Sequence, residues 1–72
     1  MDKIMAMREK RAEMWEQAKQ FLDEHEKDGR LTAEEAKAYE QMENEVLVLG
    51  KDIERMERQA ILDAQLAKPT AA

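Results

Sequence analysis

One stretch of this chain has the residue types and spacing of a metal site. From Glu24 to Glu35 it reads Glu-His-Glu-Lys-Asp-Gly-Arg-Leu-Thr-Ala-Glu-Glu. A calcium loop of the EF-hand kind wants oxygen ligands at its positions 1, 3, 5 and 12, Gly at 6 and an aliphatic residue at 8. Glu24, Glu26, Asp28, Glu35, Gly29 and Leu31 fill those places by type. The tight loop, however, normally takes Asp or Asn at its first two ligand positions, and Glu is a methylene too long for both. The run from Leu31 to Glu35 is also explained without a metal, as the start of a helix. A solvated turn between two helices is therefore the leading reading, and a calcium-binding helix–loop–helix module is the alternative. His25-Glu26 begins like a zinc-protease helix, but the chain has no second histidine to complete that site. His25 reads instead as a surface or seam-edge histidine.

Other chemistry has little to stand on. Cysteine is absent, which excludes disulfides, thiolate metal sites and cysteine nucleophiles and is compatible with a reducing cytoplasm. Serine is absent too, and no glycine-rich phosphate loop is present. Seventy-two residues are too few to build a core and also enclose a deep cleft. No catalytic, cofactor-binding or metal-ligating set is expected, and no enzyme. With 12 Lys+Arg against 17 Asp+Glu, the net charge of −5 lacks the basic stripe that nucleic acid or an anionic membrane requires. The longest apolar run, Val46-Leu47-Val48-Leu49, is far short of a membrane span. The opening Met-Asp-Lys-Ile does not look like a secretory signal.

The elements that position these residues are helices. Charged residues make up 40% and aromatics 4%, with two Gly and one Pro, a composition of long helices rather than of a sandwich or barrel. In the first segment Ile4, Met7, Met14, Ala18 and Phe21 recur at helical spacing, with Arg11 and His25 in two slots of the same seam. Met5, Ala12, Trp15 and Leu22 form a second row beside it, and Trp15 is an anchor for a helix–helix contact. In the second segment Tyr39, Met42, Val46, Leu49, Ile53, Met56 and Ala60 alternate at three and four, a heptad seam of about three heptads. The methionines on these seams suit adaptable packing.

Thr32 and Glu35 make a capping box for the second helix, and Gly29 is expected to cap the first. Asp23–Lys27, Glu26–Arg30 and Glu54–Arg58 place an acid four residues before a base. Helix 1 is expected over about 2–28 and helix 2 over about 32–67, with 68–72 as a flexible linker tail. The short turn makes residues 1–67 an all-α, antiparallel two-helix hairpin, coiled-coil-like. Gly50, inside helix 2, suggests close helix approach or a bend.

Such a hairpin has one apolar layer, and ordering it costs roughly 1.5 kcal/mol per residue. Trp15, Leu22, Leu47, Leu62 and Leu66 are expected to leave apolar surface uncovered, and helix 2 to outrun helix 1 from Met56 to Leu66. Such surface marks a partner. The patterning thus predicts a homo-oligomer formed through coiled-coil contacts, or docking onto something larger such as a generic coiled-coil adaptor's target.

The whole chain, moreover, resembles a known family. The residues concerned are Met1-Asp-Lys-Ile, Arg8-Glu-Lys-Arg-Ala-Glu-Met, Asp28-Gly-Arg-Leu-Thr-Ala-Glu-Glu-Ala-Lys-Ala-Tyr-Glu and Glu45-Val-Leu-Val-Leu-Gly-Lys-Asp-Ile-Glu-Arg-Met-Glu-Arg. Together they resemble the N-terminal delta, or scaffolding, domain of tailed-phage major capsid proteins of the Hong Kong 97 type, over roughly residues 1–68. The resemblance implies a structural role. Delta domains line the procapsid interior in the bacterial host cytoplasm, guide assembly of capsid subunits, and are removed by a maturation protease. It also implies a capsid shell domain in the same polypeptide as a partner, with cleavage placed in the tail around Pro69–Ala72. No catalytic residues carry over.

Overall fold

The computed structural model of the chain describes residues 2–67, so the expected tail at 68–72 lies outside the described residues. Asp2 opens the first helix: its carboxylate accepts from the Ile4 amide at 3.1 Å and satisfies one of the unpaired amides of the first turn. From there α1 runs Lys3–His25 and α2 runs Ala33–Leu66. The two pack antiparallel into an all-α hairpin 67 Å long and 20 × 15 Å across. The thinner dimension is close to one helix with its side chains, so the hairpin is a single layer.

The capping box at the start of α2 is complete. Thr32 Oγ1 accepts from the Glu35 amide at 3.1 Å, and the Thr32 amide donates to Glu35 Oε1 at 2.8 Å. The end of α1 departs from expectation. The helix stops at His25 rather than near residue 28, with Glu26 as an extended cap whose amide donates to the Leu22 carbonyl at 2.8 Å. Gly29 does not cap it. Asp28 (φ 53°) and Gly29 (φ 74°) are the two central residues of a tight turn, and Lys27 and Arg30 exchange both backbone hydrogen bonds at 2.9 Å. Two consecutive positive φ values are the pattern of a type I′ turn, which Asp-Gly favours. The expected Asp23–Lys27 and Glu26–Arg30 pairs therefore lose their helical spacing. Among the described residues the ion pairs are Arg8–Glu57, Glu16–Lys19, His25–Glu35 and Asp52–Arg55.

The core is thin. Ala18 and Ile53 are the buried apolar side chains among the described residues, at 0% and 2% exposure. Around them Ile4, Met7, Met14, Phe21 and Leu22 of α1 and Tyr39, Met42, Val46, Leu49 and Met56 of α2 are half-buried. Gly50 is buried where α2 faces Arg11: a Cβ there would sit 3.2 Å from Arg11 Nη1. The glycine leaves room for a side chain, the half-buried guanidinium, rather than for helix-backbone contact. α2 outruns α1, but by less than expected. Met56 and Glu57 are still half-buried, Glu57 being bound by Arg8, and every residue from Arg58 to Ala67 is exposed. Ala60, placed in the seam by its spacing, falls in that stretch because it lies level with the start of α1 at Lys3.

Candidate functional site

The turn end brings His25, Thr32 and Glu35 together. His25 Nδ1 lies 3.1 Å from Glu35 Oε2, and the imidazole ring sits 4.3 Å from the Phe21 ring. An ionised carboxylate only accepts, so Nδ1 must carry the proton. Glu35 thus ties the last turn of α1 to the first turn of α2. The Thr32 amide holds its carboxyl below the ordinary value of 4.5; partial burial opposes this, and the Thr32 hydroxyl bond and His25 add to the lowering. This carboxylate is the one that a calcium loop would need at its last position, and it is already committed to the helix cap. Among the described residues no three His, Asp or Glu side chains are grouped to hold a metal ion.

A further polar contact, within α2, is local. Tyr39 donates its hydroxyl to Glu43 at 3.0 Å, and the bond to this carboxylate raises the phenol above its ordinary value of 10.0, with burial and charge acting the same way.

The two flanks of the hairpin carry the more extended features. On one, a shallow groove of about 540 Å³ is lined by Arg11, Ala12, Trp15, Glu43, Val46 and Leu47. Trp15, the expected anchor, is 37% exposed and Leu47 is 59% exposed, so the groove's apolar walls are uncovered. On the other flank a groove of about 410 Å³ runs between Met14 and Leu49, bordered by Lys10, Glu45, Val48 and Asp52. Met5, Val48, Ile61, Leu62 and Leu66 are half or more exposed. Leu22, expected on this surface, is half-buried instead.

Charge is unevenly divided. α1 carries five basic and five acidic residues, whereas α2 carries four basic and nine acidic, so the excess negative charge sits on α2. No helix among the described residues is long and apolar enough to cross a membrane. Beyond the short-range pairs within each helix, sequence reasoning did not point to the Asp2 cap, the Arg8–Glu57 pair or the His25–Glu35 bridge. The first had a signal, an Asp just before the first apolar residue of the seam. The other two depend on how the helices are aligned, which no local pattern states.

Comparison with protein-family models, with curated proteins and with solved structures gives no match to this chain.

Proposed function

We propose that this chain is a non-enzymatic assembly domain that associates with copies of itself, and that it serves as the built-in scaffold of a phage capsid protein. The observation that carries the first part is the mismatch between what the hairpin buries and what it leaves out. Among the described residues two apolar side chains are buried, while Met5, Trp15, Leu47, Val48, Ile61, Leu62 and Leu66 remain exposed on a single layer. A contact of this kind is weak per copy. Repeated around a shell it becomes strong through multivalency while each contact stays correctable. The resemblance to delta domains supplies the second part, together with the shell domain and the maturation protease as partners. Net negative charge on every copy would repel incoming DNA, which gives removal before packaging a physical rationale.

Sedimentation equilibrium tests the self-association. The expected result is a mass that rises above the 8.4 kDa of one chain as concentration increases. A mass fixed at one chain up to millimolar concentration would overturn it. For the phage reading, the expected continuation of the reading frame after Ala72 is a β-rich shell sequence, and a continuation of unrelated fold would overturn that part alone.

A further inference from the structure

Resting on the self-association reading, we infer which face meets the second copy and in which orientation. The Trp15–Leu47 groove is an interface between two hairpins related by a two-fold axis parallel to their length. In this arrangement α1 of each copy lies along α2 of the other.

Trp15 and Leu47 line one groove, and Arg11 lies against Gly50, four and three residues away on the respective helices, so Trp15 and Leu47 stand at about the same height on antiparallel helices. One turn away, Lys19 lies toward the C-terminus of α1, with its ammonium 6.0 Å from the Trp15 ring, and Glu43 toward the N-terminus of α2, in the same groove wall. Because the helices run oppositely, these two also share a height. Two turns the other way, Arg8 and Glu54 share a third height, each seven residues from its neighbour in the groove and so on the same helix face. The flank therefore has a basic–aromatic–basic row on α1 beside an acidic–aliphatic–acidic row on α2. Within one copy Arg8 is bound to Glu57, Lys19 to Glu16, and Glu43 by the Tyr39 hydroxyl, so a second copy shares or exchanges these bonds at exposed or half-buried side chains.

A two-fold axis along the hairpin exchanges the rows without changing heights. Trp15 then meets Leu47 of the second copy, Lys19 meets its Glu43, and Arg8 meets its Glu54, each contact occurring twice. The other way to face these flanks, with one hairpin reversed end to end about the same level, sets α2 against α2 and α1 against α1. That arrangement brings Glu40 toward Glu54 of the second copy and Lys19 toward its Arg11, and it presses together the two acidic helices. Like charges across an interface select against it. The favoured dimer is a four-helix bundle with antiparallel neighbours, and both α2 C-termini leave from the same end. A domain attached there would be presented side by side with its twin.

The test uses the full chain and a charge exchange. Lys19→Glu and Glu43→Lys each place like charges at two contacts and are expected to weaken self-association by about tenfold or more. In an equimolar mixture every 19–43 contact between unlike chains is again opposite in sign. The mixture is therefore expected to sediment as a heterodimer with near-original affinity. A loss that came from weakened hairpins would not be repaired by mixing, and absence of repair overturns the inference. Orientation is read independently from spin labels on Ala64→Cys, unique because the chain has no cysteine. Labels at one end of the bundle should be within about 20 Å of each other, whereas reversed hairpins would separate them by roughly 50 Å at 1.5 Å per residue. The longer distance overturns the proposed axis. Wild-type protein that never associates would instead overturn the underlying reading.

Discussion

Gly50→Ala is expected to stabilise the hairpin. Glycine inside a helix costs about 1 kcal/mol relative to alanine, through the backbone freedom it loses on folding. The added methyl would stand 3.2 Å from Arg11 Nη1 and 3.8 Å from Arg11 Cδ. Only the first distance is tight, and it involves the far end of a long, half-buried side chain that can yield by a few tenths of an ångström. The net gain should therefore be about 0.5–1 kcal/mol, or roughly 2–8 °C in Tm for a domain of this size. Thermal melts followed by circular dichroism measure it, at one low concentration because association itself shifts Tm. The same substitution in an Arg11→Ala background should recover the full propensity gain. A fall of several degrees in the single variant, absent in that background, would refute the reasoning by showing that the guanidinium has no freedom to move.

Other substitutions probe the remaining parts. Ile53→Ala removes most of the largest buried side chain and should cost about 2–3 kcal/mol, the low end for such truncations because only one layer covers it; urea denaturation reads this directly. Glu35 has a folded carboxyl held below 4.5, so its contribution is fully present above that pH and is lost as pH falls through the folded value. Glu35→Gln keeps an acceptor for the Thr32 amide but does not titrate, so its stability should decline less steeply below about pH 4.5, as acid melts would show. Leu47→Asn alters a side chain already 59% exposed. It should change the stability of the dilute hairpin by no more than about 0.5 kcal/mol yet weaken association, seen as loss of the concentration-dependent shift in Trp15 fluorescence.

Much of this fold is written in local patterns. The Thr32–Glu35 box forms both its hydrogen bonds, and the alternation from Tyr39 to Met56 faces α1, because capping and helical periodicity are properties of a few neighbouring residues. Asp28-Gly29 was a legible turn signal, but it admits two geometries. A lone left-handed glycine would cap α1, whereas two left-handed residues make the tight turn that ends α1 three residues sooner. The sequence cannot choose between these until both helices are docked. The same holds for Arg8 with Glu57 and for Arg11 over Gly50, whose partners are set by alignment across some forty to fifty residues. Ala60 shows the converse: a residue in heptad register stays exposed because it lies level with the start of the facing helix. The grooved flank was visible only in part, through Trp15 and Leu47 as separate apolar residues. Their common height with Lys19, Glu43, Arg8 and Glu54 emerges from the hairpin.

On the proposed function this single-layer hairpin is completed by further copies, so that folding and association are linked. The most direct measurement is Tm by circular dichroism across a hundredfold range of protein concentration in one buffer. Linkage predicts a Tm that climbs by several degrees over that range. A high Tm that does not move with concentration would contradict the account, because the hairpin would then be stable alone with its apolar flank open to water.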